Sequence, residues 1–225
     1  MNFRDYFGDW MRVIDEEELK KIINTLNCLY KTKDITPEYK DVFKCFHLCD
    51  YNNLKVILLG QDVYPDRGVA TGIAFGIKED NPNYPPSLQI IKESVLDLPY
   101  SNNCCIFDKT LESWEKQGIL MLNSSLTTET GKVGVHISLW RTFIKSLLLN
   151  ICEINSGIVF ILMGEVAKTF LPYINQENND IIKVNHPAYY ARTNTFMPNI
   201  FKDVNKILYN RYGQIIKWTD YEEIF

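Results

Sequence analysis

The sequence lacks the features that mark membrane proteins and disulfide-bonded secreted proteins. No apolar run among its 225 residues approaches the roughly 20 residues that a helix needs to span a bilayer. Its six cysteines show neither paired CxxC spacing nor a cysteine–histidine metal pattern, so we expect reduced thiols. The segment from Met1 to Glu18 has no apolar core and no arginine-rich character, and it therefore predicts no signal or transit peptide. These absences predict a cytoplasmic protein, or a nuclear or viral-factory protein if its source is eukaryotic or viral.

The sequence also lacks an excess of basic over acidic residues, since its formal net charge is -4 at pH 7. Proteins that bind nucleic acid usually carry a basic surface, so this charge argues mildly against that function. A protein that contacts few phosphates can, however, bind them with hydroxyl groups and helix N-termini. If DNA is a partner, the charge predicts weak binding that depends on the salt concentration.

The sequence does contain short apolar runs that alternate with helix-like segments. The four runs are Val56–Leu59, Gly118–Leu122, Ile158–Met163 and Ile181–Val184, and the helix-like segments are Pro86 to about Leu98, Trp140 to Ile154 and Glu165 to Phe170. Short continuous apolar runs are typical of strands buried on both faces of a parallel sheet. Their alternation with helices indicates βαβ units. We therefore predict an α/β fold with three layers (αβα), in which helices flank a central, mostly parallel four-stranded sheet. The length fits a single domain over residues 1–225.

A polar residue follows each apolar run, namely Asp62, Asn123, Glu165 and His186. Parallel strands present their carboxyl ends at one edge of the sheet, where open α/β sheets bind ligands. Each residue alone has a plain structural interpretation, such as a strand cap or a histidine bonded to backbone. Their shared edge favours a site, although we assign no role to Glu165.

Five motifs in order resemble those of the main uracil-excising family of uracil-DNA glycosylases. Gly60-Gln-Asp-Val-Tyr64 is similar to the family's water-activating loop, and Gly72-Ile-Ala-Phe75 to its uracil-stacking segment. Pro85-Pro-Ser87 resembles the end of a proline-rich, phosphate-contacting loop. The strand that ends at Asn123 resembles the one with the uracil-reading asparagine, and His186-Pro187 opens a segment similar to the minor-groove loop. The matches run from about residue 38 to 218, and their order makes them specific.

The resemblance implies a DNA repair enzyme that flips uracil out of DNA and hydrolyses its N-glycosidic bond, leaving an abasic site, with no cofactor or metal. The Asp62 carboxylate would stabilise the positive charge that develops on the sugar and orient the attacking water. At ~4 Å and an effective dielectric constant of ~20, this attraction is about 4 kcal/mol, or roughly a thousandfold in rate. His186 would donate a ring N–H to the O2 atom of the leaving uracil.

The resemblance also implies how the base is selected. The side-chain amide of Asn123 can donate one hydrogen bond and accept one, which matches uracil and mismatches cytosine. Phe75 would stack on the flipped base, and Tyr64 would block the 5-methyl group of thymine. Gln61 belongs to the same loop as Asp62 and is assigned to substrate binding.

Phosphate contacts are implied for Pro86, Ser87 and Ser124, with Ser125 as the alternative to Ser124. Serines in loops commonly only form turns, so the hydroxyl groups alone do not establish these contacts. Val63 and Pro65 depart from the family, which has proline and histidine there.

The loop His186–Asn194 is the candidate tool for base flipping. Ala188 stands where the family has a serine that contacts phosphate, and Tyr190 stands where the family has an aliphatic wedge. We expect Tyr190, or Tyr189 if the register is shifted by one, to fill the gap left by the base, with Arg192 entering the minor groove.

Two other classes of function stay open. A non-catalytic DNA-binding or replication accessory protein of the same fold is favoured by the altered loop, but the presence of Asp62, Asn123 and His186 opposes it. A metal-dependent phosphoesterase would use Asp62, Asp66 and His186, but the sequence lacks the denser clustering that two-metal sites need.

We expect a monomer that binds uracil-containing single- or double-stranded DNA and no membrane. A protein inhibitor or replication partner is left open.

Overall fold

The computed structural model describes residues 2–97 and 105–221. Its helices are α1 Phe3–Phe7, α2 Glu16–Thr32, α3 Lys44–Leu48, α4 Pro86–Leu96, α5 Glu112–Glu115, α6 Ile137–Ile154, α7 Glu165–Lys168, α8 Pro187–Thr193 and α9 Ile200–Tyr212. Its strands are β1 Ile35–Thr36, β2 Val56–Asp62, β3 Cys105–Ile106, β4 Ile119–Ser125, β5 Thr128–Glu129, β6 Val159–Met163, β7 Asp180–Val184 and β8 Asp220–Tyr221. No helix in these two ranges is long and apolar enough to cross a membrane.

The central sheet has the strand order β4-β2-β6-β7, and every neighbouring pair in it is parallel. Leu59 of β2 is in register with both Leu122 of β4 and Leu162 of β6, so the strands end at one edge. The predicted α/β class with a parallel four-stranded sheet is confirmed. Two short antiparallel pairs, β1 with β5 and β3 with β8, lie outside this sheet.

Both faces of the sheet are buried, as the continuous apolar runs predict. In β2, Ile57 and Leu59 pack in one hydrophobic core with α2 and α6, whereas Val56 and Leu58 pack in a second core with α4 and α9. Side chains alternate between the two faces of a strand, so each run supplies both cores. The helices therefore form an outer layer on each side, which gives the three predicted layers.

Several predicted boundaries differ from the structure; α6 begins at Ile137 rather than Trp140, and α7 ends at Lys168 rather than Phe170. β2 continues through Gly60 to Asp62, and β4 continues through Asn123 to Ser125, so two site residues lie within strands rather than after them. The α4 helix begins at Pro86 as predicted, whereas its predicted end near Leu98 lies outside the described residues. The predicted loop after His186 is the short helix α8.

The α8 helix forms because its first turn is capped. The His186 side chain accepts a hydrogen bond from the Ala188 N–H, and Pro187 occupies the first turn, where its missing N–H costs nothing. The Tyr189 N–H donates to the His186 carbonyl at 2.8 Å. A proline at position 189 could not form this hydrogen bond, because it has no N–H. The helix ends at Thr193 and is followed by Asn194, which adopts the left-handed conformation.

Candidate active site

Three of the four polar residues predicted at the sheet edge line one cavity of about 490 Å³. Asp62 ends β2, Asn123 lies in the adjacent strand opposite Gly60, and His186 follows β7 and caps α8. Glu165 is the exception, since its exposed side chain pairs with Lys168 and does not line the cavity. The other predicted site residues in the cavity wall are Gln61, Tyr64, Phe75, Pro86, Ser87, Tyr189 and Arg192.

Asp62 is held by a hydrogen bond from a distant loop. Its Oδ2 accepts from the Gly134 N–H at 2.5 Å, and the Gln61 side chain also hydrogen bonds to the carboxyl group. Burial raises the pKa of Asp62 above its ordinary value, while the hydrogen bonds from Gly134 and Gln61 oppose that rise. The same two contacts fix the direction of the carboxylate within the cavity.

His186 is an uncharged imidazole near neutral pH. Burial, and secondarily the positive charge of Arg192, lower the pKa of His186 from 6.5 to about 4. Its Nδ1 accepts from the Ala188 N–H at 3.2 Å, so the ring proton resides on Nε2. The residue therefore offers one N–H donor and no positive charge.

Gly60 allows Asn123 and Phe75 to approach each other. A Cβ atom at Gly60 would lie 2.5 Å from the Asn123 Oδ1 and 3.2 Å from the Phe75 ring. A side chain at position 60 would therefore displace the amide, the ring or both. The buried Asn123 amide and the Phe75 ring line the cavity on either side of this glycine.

Phe75 lies in a tight turn with a left-handed backbone conformation, φ 65°. Its carbonyl accepts a hydrogen bond from the Tyr64 hydroxyl at 3.1 Å, and burial raises the pKa of Tyr64 above its ordinary value. A left-handed conformation at a residue other than glycine is costly and is retained only where its surroundings enforce it. The Tyr64 contact and the neighbouring packing thus fix the ring against the cavity.

Gly164 lets His186 come close to the end of β6. This glycine has φ 91°, and a Cβ atom placed on it would lie 2.8 Å from the His186 Cβ. The His186 ring in turn lies 5.6 Å from the Phe75 ring, centroid to centroid. The contribution of this edge of the sheet to the site is therefore the space left by Gly164, the glycine that follows β6.

Comparison with known proteins decides the family. The family model described as the uracil DNA glycosylase superfamily matches residues 46–208. The chain belongs to this superfamily. It is 33% identical to a uracil-DNA glycosylase of Fusobacterium nucleatum over 218 residues, covering 94% of this chain and 95% of that protein. It is also 35% identical to a uracil-DNA glycosylase of Yersinia pseudotuberculosis over 193 residues, covering 83% and 82%.

Solved structures of the superfamily share the fold. The crystal structure of mimivirus uracil-DNA glycosylase matches with a TM-score of 0.74 at 22% identity, covering 96% of this chain and 91% of that one. A variant of the mimivirus protein in complex with UGI matches with a TM-score of 0.79 at 21% identity, covering 98% and 88%. The structure from Nitratifractor salsuginis matches with a TM-score of 0.59 at 19% identity, covering 94% and 89%.

The structure differs from the expectation that Tyr190 is presented to DNA. The Tyr190 side chain is only 8% exposed and packs in the second core, whereas Tyr189 is 42% exposed and lines the cavity. The cause is the helical conformation of α8, because consecutive residues of a helix point in different directions. Tyr189 is thus the tyrosine at the cavity mouth, with the exposed Arg192 beside it.

The structure also corrects the expectation for Ser124. Its hydroxyl group is fully buried and lies 2.6 Å from the Gln61 carbonyl and 3.0 Å from the Gly60 carbonyl, so it faces β2 and not a phosphate. Ser125 is likewise buried and donates to the Thr127 carbonyl. Ser87, by contrast, lines the cavity near the N-terminus of α4, where free backbone N–H groups favour anions.

Sequence reasoning missed the loop that holds Asp62. Gly134 lies 72 positions further along the chain, and its neighbour Val133 is 63% exposed at the cavity wall. The local signal in the sequence is the pair of glycines at 131 and 134, which indicates a turn; both adopt positive φ angles in the structure. The pair does not indicate which residue the turn contacts. Within residues 2–97 and 105–221, no three His, Cys, Asp or Glu side chains are grouped to hold a metal ion.

Proposed function

We infer that this protein hydrolyses the N-glycosidic bond of uracil in DNA and leaves an abasic site. The observation that carries this inference is the convergence of Asp62 and His186 on the cavity that Asn123 and Phe75 also line. Membership of the uracil DNA glycosylase superfamily supports it.

The two titratable groups suit the charges of the reaction. Breaking the bond creates positive charge on the deoxyribose and negative charge on the leaving uracil. The Asp62 carboxylate stabilises the first charge and orients the water that attacks the sugar. The neutral His186 donates its Nε2–H to the uracil O2 and stabilises the second, as a preorganised oxyanion donor does. An imidazole whose pKa is lowered to about 4 performs this task without first having to lose a proton.

The remaining cavity residues select the base. Asn123 offers one donor and one acceptor to the O4 and N3–H of uracil, whereas cytosine presents the opposite pattern. A mismatch that leaves buried polar groups unpaired discriminates by about 10⁴–10⁵. Phe75 stacks on the base, and the buried Tyr64, fixed by its bond to the Phe75 carbonyl, excludes the thymine methyl group.

The cavity admits a base only after it leaves the duplex. We propose that uracil-containing DNA, single- or double-stranded, binds across the cavity mouth. Pro86 and Ser87 at the start of α4 would then contact phosphate, and α8 would lie against the minor groove. Variants of the mimivirus protein have been crystallised with UGI, so we extend the proposal to a protein inhibitor that covers the same mouth.

Release of uracil from a single-stranded oligonucleotide in the presence of EDTA tests this function. We expect uracil to be released, while matched oligonucleotides with cytosine or thymine remain intact. Binding without release would favour a non-catalytic DNA-binding protein of the same fold. Release that is abolished by EDTA would favour metal-dependent chemistry instead.

A further inference from the structure

Glu115 is a buried carboxyl group with no place in the chemistry described above. It ends α5, its exposed fraction is 0%, and its Oε1 accepts a hydrogen bond from the Met121 N–H at 3.2 Å. Its Oε2 is buried as well and has no hydrogen-bond partner among the described residues. Fully buried glutamates are rare unless they are paired, so this position calls for a physical reason.

The partner of Glu115 lies on the outer edge of the sheet, which is buried beneath other segments of the chain. Among the residues that the structure describes, β4 is the first strand in the order β4-β2-β6-β7, so one side of it carries backbone groups that no neighbouring strand there satisfies. On that side the Met121 N–H donates to Glu115, and the Met121 carbonyl accepts from the Ala74 N–H at 3.0 Å. Both free backbone groups of Met121 are thus satisfied by segments outside the sheet.

These two bonds connect the base-stacking and base-reading residues. Ala74 immediately precedes Phe75, and Asn123 lies two residues after Met121 on the same strand. In a strand, residues two apart share a face. The position of the Met121 backbone therefore fixes both the turn that carries Phe75 and the strand that carries Asn123.

We propose that Glu115 is a positioning residue for uracil binding, which holds the outer edge of β4 so that Phe75 and Asn123 keep their spacing across Gly60. This inference rests on the proposed function and adds to it a residue that does not touch the base.

The environment of Glu115 disfavours the charged form of its carboxyl group. Burial, and in addition the charge of Glu112, raise the pKa of Glu115 well above its ordinary value, while the Met121 N–H and Lys44 act in the opposite direction. Lys44 is already paired with Glu112 at 2.7 Å, and the other ionisable neighbours, Cys45 and Cys49, are buried thiols whose pKa values are themselves raised. The Met121 N–H needs only an acceptor oxygen at this position, and the side-chain amide of glutamine supplies one.

The experiment compares three variants in the full chain. Glu115→Gln keeps a neutral oxygen for the Met121 N–H, and Glu115→Leu removes it at similar volume. Asn179→Leu is the matched control, because the buried Asn179 Oδ1 accepts from the Ile158 N–H at 3.0 Å just before β6, away from the cavity. For each variant, kcat and KM on a uracil-containing single strand are measured with the affinity for free uracil by calorimetry. All values are normalised to the folded fraction from circular dichroism.

We expect Glu115→Gln to behave as the wild type. Glu115→Leu should lower kcat and the affinity for free uracil by about tenfold to a hundredfold, as small displacements in a site do. Asn179→Leu should lower the melting temperature while the kinetic constants and uracil affinity of its folded fraction stay unchanged. Wild-type constants in Glu115→Leu, or an equal loss in Glu115→Gln, would overturn the proposal.

Two further outcomes are separable. If Glu115→Leu does not fold, Glu115→Asp withdraws the acceptor by one methylene group. Reduced uracil affinity in that variant then supports the proposal, and unchanged affinity overturns it. If the wild type releases no uracil, the proposed function fails, but the calorimetric affinities for uracil still test the role of Glu115.

Discussion

The sheet edge and the segment after β7 form the two sides of the same cavity and are built differently. At the sheet edge, Asp62 and Asn123 lie in strands, and backbone contacts with Gly134 and Gly60 restrict their side chains. The other side is α8, a seven-residue helix with one tyrosine at the cavity mouth and the next in the core. Groups that carry chemistry need rigid support, and the strands provide it. Tyr189 and Arg192, which are assigned to DNA contact, lie instead on this short helix at the surface.

The largest effect should come from the sheet edge. We expect Asp62→Asn to lower uracil excision by about a thousandfold while DNA binding is retained, because the charge that stabilises the sugar is lost. Single-turnover excision and a binding assay on the same oligonucleotide measure the two quantities. Asp66→Asn, which changes an exposed carboxylate in the same cavity wall, is the control and should retain activity. Near-normal excision by Asp62→Asn would remove Asp62 from the mechanism.

The second effect tests how rigid the sheet edge is. Gly60→Ala adds one methyl group that would lie 2.5 Å from the Asn123 Oδ1. We expect excision to fall by about a hundredfold, since a displacement near 1 Å has that cost. Circular dichroism checks that the fold is intact. Full activity in a folded Gly60→Ala protein would show that Asn123 and Phe75 can shift to make room for the methyl group without loss of function.

The third effect belongs to α8. We expect Tyr189→Ala to impair excision from duplex DNA by about tenfold more than from single strands, because holding a duplex open costs a few kcal/mol. Tyr190→Ala should instead destabilise the fold by about 3–5 kcal/mol, the usual cost of removing a buried aromatic ring. Thermal unfolding and excision from both substrates separate the two, with Tyr190→Phe as the control that keeps the ring.

Two results would change this view of α8. A selective loss on duplex DNA for Tyr190→Ala, at normal stability, would show that α8 rearranges when DNA binds and presents Tyr190. Equal losses on both substrates for Tyr189→Ala and Tyr190→Ala would show that the helix does not hold the duplex open.

The smallest effect concerns the histidine that joins the two sides. His186 has a pKa of about 4, so its imidazole signals in NMR should not titrate between about pH 5 and pH 8. Because this value lies below the ordinary 6.5, acidification from 6.5 toward 4 protonates the unfolded chain first and lowers stability. In Arg192→Ala the pKa should rise slightly, since Arg192 is the lesser of the two causes. A His186 pKa near 6.5 in the wild type would show a solvated ring.

The strands of the sheet were predictable because a buried parallel strand needs an unbroken apolar run, and Val56–Leu59 is one such run. The α8 helix was not predictable, since its cap depends on the His186 side chain and the burial of Tyr190 depends on tertiary packing, in which α8 lies against α4. The bond from Gly134 to Asp62 joins positions 72 apart, and no local pattern encodes such a contact. Ser124 was the avoidable error, because strand alternation turns it away from the cavity that Asn123 faces.

Gly164 shows how far a position without reactive atoms can be constrained. His186 occupies the volume that any side chain at position 164 would need, and the φ angle of 91° disfavours every other residue type. A survey of tolerated substitutions would therefore rank Gly164 with Asp62 and His186. The exposed carboxylate of Glu165, one position later, would be free to vary. Intolerance to substitution thus reports the shape of this site as much as its chemistry. Gly164 is constrained because it has no side chain, whereas Asp62 and His186 are constrained by the side chains that they carry.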